Sequence, residues 1–589
     1  MGNALLLTLL ACAPGSPPDD TGASAPFGMP LRVDGQLYAG VARVDITPAI
    51  PETYQDLDGD AYFDGCTNDP GATRPGCDEP FDDADGDGDF DAVWMGGWGG
   101  GGRAARDVHD PLWVTALVLA LDGEYVAIVS IDAVGLLEYR SSRAREALAA
   151  QGFAADRVIV SADHTHQGPD TVGLWGDLDA LVTGLDADYQ VEVEGAIVDA
   201  VGTAAGGMVP VRPSQGAVHL SELDPAYSGA PFGGTNPNPG MLGLVHDGRD
   251  PIVVDDQVLT LALDTDEGRL VTLLSYSAHP EGVGWQNESL SADYVYFLRD
   301  RIERAVGGTP MFLASAVGGM QSAWNGTLPL VDEAGERVLD GDGAPVFIDA
   351  GGWDYARSEG VLVADAALGT QLDQRPWEHI QVRSAPVLLP ITNIGFEVAL
   401  RMELLDQPWD TLRRDGSCLG YGQDSHVIGC LEAGVWALEL GPLGFGTVPG
   451  ELLPELFDGV PEEPGMRDAG ARAGDGRWPH HPPACDEASW EVCRVNETDG
   501  ECDCTEMHAA PYTLSFEEGA PALRSLLPGD YRAVIGLANG YVGYVIPEPD
   551  YSLVTNALTG LEGNHSEEWY SAGEQMAPVV QAGWRTLGE

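Results

Sequence analysis

Apolar residues fall in short dense runs bounded by polar or glycine-bearing turns, the pattern of strands buried on both faces. The strongest are YVAIVSIDAVGL (Tyr125–Leu136), RVIVSA from Arg157, VLTLALD from Val258, LVTLLSY from Leu270, PMFLASA from Pro310 and YRAVIGLANGYVGYVI from Tyr531. Between them the spacing becomes helical in RSSRAREALAAQG (Arg140–Gly152) and in ADYVYFLRDRIERAVGG from Ala292, each stopped by glycine. EEWYSAGEQMAPVVQAGWRTL (Glu567–Leu587) reads as a closing helix. This alternation predicts an α/β fold: one large domain over 31–589 with a mixed sheet core and functional residues at strand ends. Three irregular stretches read as insertions, Pro51–Asp91, Gly326–Gly351 and Leu456–Thr513, the last rich in cysteine.

The amino terminus, MGNALLLTLLACAPGSPPDD, has a short apolar run that ends at Cys12 and gives way to a polar linker over 13–30. It resembles a bacterial lipoprotein signal with Cys12 as the lipidated residue, which places the protein outside the cytoplasm, tethered to the envelope or secreted. No basic residue precedes the run, so a plain buried segment is the competing reading. Eight further cysteines, Cys66, Cys77, Cys418, Cys430, Cys485, Cys493, Cys502 and Cys504, fit disulfides in an oxidising compartment. A zinc cluster over Cys485–Cys504 is the alternative, with spacing that fits zinc patterns poorly. With 93 acidic and 29 basic residues, all the latter arginine, the net charge of -64 excludes nucleic acid and disfavours anionic membrane as partners. The only membrane attachment expected is the lipid anchor.

The first insertion holds the most specific local chemistry. DLDGDAYFD places Asp56, Asp58, Asp60 and Asp64, and DADGDGDFD places Asp83, Asp85, Asp87, Asp89 and Asp91, largely at every second position with glycine at the turn. Hard oxygen donors at that period are what a calcium loop needs, whereas a merely solvated acidic loop has no reason to keep it. Trp94 stands where an EF-hand glutamate would fall, so these read as short calcium repeats, structural in role.

Two apolar runs end in histidine, in SADHTHQGP and in SYSAHP. Imidazoles at the ends of rigid strands can hold a metal facing an open loop region. By themselves His164 and His166 could equally be solvated loop residues and His279 a satisfied core histidine.

Taken together and in order, GVARVDITP (Gly40–Pro48), the segment Trp94–Gly123, IVSIDAVGL, SADHTHQGPDT, SYSAHP, VPGE (Val448–Glu451) and LANGYVGY (Leu537–Tyr544) resemble the catalytic domain of the neutral ceramidases, from about Tyr38 to the end. The resemblance implies a zinc-dependent hydrolase that cleaves the amide of an N-acyl sphingoid or related N-acyl lipid with a zinc-activated water. It implies His164, His279, Glu451 and Tyr544 as the zinc ligands. His166, two residues from His164, is expected to act as an acid/base or to support a ligand. Where the family carries a catalytic serine, AVGGMQSAWNG has Gln321, and Gly319 replaces the aspartate of the turn. A glutamine can donate a hydrogen bond to an oxyanion but cannot be a nucleophile. The family's additional carboxyl-terminal β-domain is expected to be missing. Two readings therefore stand: a tethered zinc amidohydrolase, or a calcium-stabilised surface protein that keeps the fold and has lost turnover. A zinc hydrolase of another amide or an ester is a variant of the first.

Overall fold

The computed structural model describes residues 25–63, 79–99, 101–177, 182–220, 223, 244–247, 253–321, 328–348, 351–418, 427–459, 492–495, 502–505, 522–547 and 566–588. Cys12, Asp64, Cys66, Cys77 and Cys485 lie outside them, as do the side chains of Gln321, Cys493, Cys502 and Cys504. Cys418 and Cys430 form a disulfide.

Three sheets carry the fold, one of five strands and two of four. The first has β1 (Tyr38–Asp45), β2 (Trp113–Leu121), β3 (Glu124–Ile131) and β4 (Val158–Ala162), in the order β4-β3-β2-β1, with Val209–Pro210 at its edge. The second has β5 (Arg212–His219), β6 (Gln257–Asp264), β7 (Arg269–Tyr276) and β8 (Thr309–Ala314), in the order β8-β7-β6-β5. The third has β9 (Ile380–Ile391), β10 (Gly429–Leu440), β11 (Leu443–Thr447) and β12 (Tyr531–Ile535), in that order. Each sheet is antiparallel except for one parallel edge pair: β3 with β4, β7 with β8, and β11 with β12. The mixed α/β architecture expected from the sequence is therefore present.

The helices are α1 (Glu138–Ala150), α2 (Ala187–Gly206), α3 (Tyr294–Val306), α4 (Trp353–Gly369), α5 (Ile394–Arg401) and α6 (Met576–Gly588). Helices α1 and α3 make the crossovers that a parallel pair requires. Asp186 caps α2 by accepting from the amides of Asp188 and Tyr189 at 2.8 and 3.1 Å. Helix α2 then lays Val193, Ile197, Ala200 and Ala204 on the first sheet. Gly40 is required there, because a Cβ would stand 1.9 Å from the Ala204 carbonyl oxygen.

Alternate residues of β2 serve two cores. Val114, Ala116 and Val118 face the helices, while Leu117, Leu119 and Leu121 join Leu259, Leu261, Leu438 and Phe445 between the sheets. Full burial of each such leucine contributes roughly 1.5–3 kcal/mol. The edge pairs are stitched together at their carboxyl ends. Ser130 Oγ donates to the Phe312 carbonyl at 2.6 Å, Ser161 Oγ to that of Gly536 at 2.9 Å, and the Gly536 amide to that of Ala314 at 2.9 Å. That convergence points the loops after β4, β7, β11 and β12 at one place.

Three expected elements are shorter than their apolar runs. The strand from Tyr125 stops at Ile131, where Asp132 turns to meet Arg299. The strand from Tyr531 stops at Ile535, because Leu537 and Asn539 adopt φ of 48° and 56°, which no strand accommodates. The closing helix is split into Ser566–Trp569 and Met576–Gly588, since the intervening residues pair with the tyrosine loop through Gly543 and Ser571. Of the insertions, Leu328–Pro329 pairs with Phe347–Ile348, and Val492–Val495 with Cys502–Thr505. Among the described residues no helix is long and apolar enough to cross a membrane.

Candidate metal centre

His164 follows β4, His279 follows β7, Glu451 follows β11 and Tyr544 follows β12, so the three sheets each deliver donors to one point. The backbone at His164 has φ of 73°, a left-handed conformation that costs a non-glycine residue about 1–3 kcal/mol and persists only where its surroundings enforce it. Here its amide is held by the Ala133 carbonyl at 3.0 Å and its Nδ1 donates to that of Val134 at 2.5 Å. His279 is held in the same way. The Met320 carbonyl accepts both its amide, at 3.1 Å, and its Nδ1, at 2.8 Å. Because a carbonyl only accepts, both Nδ1 atoms carry hydrogen, so that each ring, once its Nε2 proton is displaced by a cation, presents the Nε2 lone pair to the centre.

The donors then lie at the edges of a coordination polyhedron. His164 Nε2 and His279 Nε2 are 3.4 and 3.2 Å from Glu451 Oε2, and the Tyr544 hydroxyl is 3.4 Å from His279 Nε2. His166 Nε2 is 3.4 Å from His164 Nε2, and His164, His166 and His279 form a buried group able to hold a metal. Ligands bound tetrahedrally at zinc's usual distances stand about 3.3 Å apart, so the residues fit that ion. Tyr541, which the sequence did not single out, donates its hydroxyl to Glu451 Oε1 at 2.7 Å.

Electrostatics agree with a cation site. Burial would raise the Glu451 carboxyl, but the charge of His164 and hydrogen bonds from His164 and His279 outweigh it and hold the group well below the usual carboxylate range. Burial would lower His279, yet the hydrogen bond to Glu451 and the charges of Glu281 and Glu451 push it up to about 9. Burial and the neighbouring imidazoles hold His166 well below the ordinary histidine value. Such a pocket of lone pairs and one carboxylate attracts either protons or a divalent ion.

Several residues fix the HisThrHis loop. Its His166 amide donates to the Pro280 carbonyl at 3.0 Å, tying it to the loop of His279. Arg103, fully buried, donates to the carbonyl of His166 at 2.8 Å and to Gln167 Oε1 at 3.1 Å, and burial pushes it down to about 10. Gly97, at φ 97°, passes so close to His166 that a Cβ would sit 2.3 Å from the ring's Cγ. Beneath the site Arg299 grips Asp132 with two bonds of 2.7 Å. Gln321 lies in a two-residue strand, Met320–Gln321, paired with His246–Asp247, directly after the carbonyl that orients His279.

The aspartate loops also assemble. Asp56, Asp58 and Asp60 form one group and Asp83, Asp85 and Asp87 another. A third joins Asp85 and Asp91 to Glu52, a residue the sequence reading passed over. The two segments exchange equivalent bonds: Glu52 Oε1 accepts the Ala84 amide and Glu79 Oε1 the Leu57 amide, both at 2.7 Å, while the amides of Gln55 and Asp82 donate to Pro80 and Thr53 at 2.9 Å. Burial, then the charges of Asp87 and Glu52, raise Asp91 above the usual carboxylate range. Asp89 is raised likewise, by burial and then by the charge of Asp87.

Among solved structures the chain is similar to a ceramidase complexed with C2, with TM-score 0.54, 14% identity and coverage of 94% of this chain and 75% of that one. It is similar also to neutral ceramidase from Pseudomonas aeruginosa, with TM-score 0.51, 13% identity and coverage of 94% and 74%. This chain has the neutral ceramidase fold. No protein-family model and no curated protein sequence matches it. At such identity the ceramidase likeness speaks to fold, and the case for chemistry lies in the donors themselves.

Proposed function

We propose that the protein is a zinc-dependent amidohydrolase that cleaves an N-acyl sphingoid or a related N-acyl lipid. The observation that carries this reading is the meeting of His164, His279, Glu451 and Tyr544, with His166 beside them, from the ends of three sheets. Those four side chains hold the ion. When bound there, zinc supplies a water of lowered pKa and polarises the amide carbonyl. His166, with Glu281 Oε2 3.9 Å from its Nδ1, either adds a donor to the ion or hands a proton to the departing amine. Gln321 supplies an amide donor to the developing oxyanion.

The reading extends to calcium in the aspartate loops, where it stiffens the insertion, and to a lipoprotein anchor at Cys12. The Cys418–Cys430 disulfide supports an oxidising, extracytoplasmic location. The second reading, a surface protein without turnover, is favoured by Gln321 in place of the family serine.

One experiment separates them: metal analysis of gently purified protein with amine release from a panel of N-acyl substrates, with and without chelator. About one zinc per chain and chelator-sensitive release are expected. His279→Ala is expected to lose both metal and release while keeping its fold, and Gln321→Ala to keep metal and lower turnover. Metal-replete protein inert on every amide and ester in the panel would leave the second reading standing.

A further inference from the structure

Helix α5 buries Phe396, Ala399 and Leu400 and turns Ile394 and Val398 outward, with Met402 directly after its last turn. These three are 68%, 49% and 44% exposed at i, i+4 and i+8, a continuous apolar stripe on one helix face. Trp569, 52% exposed, lies at its head, where Asn393 Nδ2 donates to the carbonyls of Trp569 and Ser571 at 3.2 and 2.8 Å. At its foot Trp409 is stacked between Arg401 and Arg414, whose guanidinium carbons stand 4.3 and 3.9 Å from the ring centroid.

The stripe is continuous with the metal centre. Phe396 and Leu400, on the inner side of the same helix, line a small apolar cavity with Leu389, Ile391 and Tyr541, and Tyr541 binds Glu451. Beyond Trp569, Tyr570 donates to the Gly99 carbonyl at 2.7 Å, next to the turn that packs against His166.

We infer that this face is a docking surface for a zwitterionic lipid layer, a contact additional to any anchor at Cys12. The charges decide the occupant. In a chain of net charge -64, residues 401–414 are locally balanced, with Arg401, Arg413 and Arg414 against Glu403, Asp406 and Asp410, which suits a zwitterionic surface. Arg401 and Arg413 are paired with Glu397 and Glu432, while exposed Arg414 rests on Trp409 and that residue's carbonyl. Apolar side chains, indoles at the edge and a guanidinium for a phosphate are the groups that sit at a lipid–water boundary. The protein's overall charge repels an anionic surface, which leaves the phosphocholine type. The inference does not require turnover.

The test uses the full chain with Cys12→Ser, its metals left in place, and co-sedimentation with phosphatidylcholine vesicles, which carry no amide to cleave. The parent protein is expected to partition onto them and to bind phosphatidylglycerol vesicles less. Ile394→Asp with Val398→Asp is expected to lower partitioning about tenfold, and Arg414→Ala about threefold, with circular dichroism and melting temperature unchanged. Equal partitioning of the double variant, or a parent that stays in the supernatant, overturns the proposal. So does a dimer in sedimentation velocity that the double variant dissociates, because a second copy would then cover the stripe.

Discussion

The Tyr541 hydroxyl donates to Glu451 Oε1 at 2.7 Å, which leaves Oε2 as the corner that faces the imidazoles of His164 and His279. Two tyrosines of one loop thus divide the work. Tyr544 stands at the donor cluster, and Tyr541 orients the carboxylate from behind. Gly135 makes room for the Tyr541 ring, since a Cβ there would lie 2.8 Å from the ring's Cγ.

Tyr541→Phe keeps the ring and removes only that bond. A buried carboxylate oxygen left unpaired costs about 1–3 kcal/mol, and partners that orient a ligand typically change metal affinity by about 10–100-fold. Zinc affinity measured by competition with a chromogenic chelator is expected to fall about tenfold, with one ion per chain still bound at saturation. Unaltered affinity would show that Glu451 is oriented by the imidazoles alone.

How much of this was legible in the sequence depended on whether local pattern or tertiary pairing made the element. Strands β3, β4, β6, β7, β8 and β12 are dense apolar runs, and their existence followed from composition. Strand β9, IQVRSAPVLLPI, was not recognised, because Pro386 and Pro390 break a strand signal. The strand forms at a sheet edge, where proline is tolerated, and its twelve-residue ladder with β10 overrides the local preference. Helix α2, rich in valine and glycine, is likewise a product of packing on β1 and β2. The histidines were visible as strand-end residues, but Glu451 and Tyr544 were reached only through the family resemblance. Tyr541 carried no signal that set it apart from Tyr544. Glu52 and Glu79 did carry one: each stands at the same place in two copies of a Glu-x-Tyr/Phe-x-Asp-x-Asp-Gly-Asp pattern. A ligand supplied from the neighbouring copy has no local spacing, so the aspartates alone stand out as donors.

That exchange makes the aspartate loops testable as a pair. Calcium added to chelator-treated protein is expected to raise the melting temperature, since a ligand at 100 times its Kd stabilises by about 2.7 kcal/mol. Glu52→Gln keeps the acceptor for the Ala84 amide and removes charge beside Asp85 and Asp91. Calorimetric stoichiometry is expected to fall from about two ions per chain to about one. Full stoichiometry with unchanged affinity in Glu52→Gln would confine Glu52 to holding the loop.

The last prediction concerns pH and a group outside the donor cluster, Glu138. Glu138 opens α1 and pairs with Arg145 at 3.1 Å, and burial, partly offset by Arg145, pushes its carboxyl up to about 7. The folded protein therefore holds this proton more tightly than the unfolded chain, where the group titrates near its ordinary value of about 4.5. Its contribution to stability is fully present below about pH 4.5 and is lost as pH rises through about 7. Carboxylates with depressed values act in the opposite sense, so the site must be isolated by comparison. Urea midpoints of the parent and of Glu138→Gln at pH 5 and pH 8 provide it. The parent is expected to lose more stability, or gain less, between the two pH values than the variant does, by an amount on the order of 1–3 kcal/mol. The attraction of Arg145 for the ionised form is already contained in the value of about 7. Parallel pH dependences in the two proteins would mean that Glu138 remains ionised in the fold throughout this range.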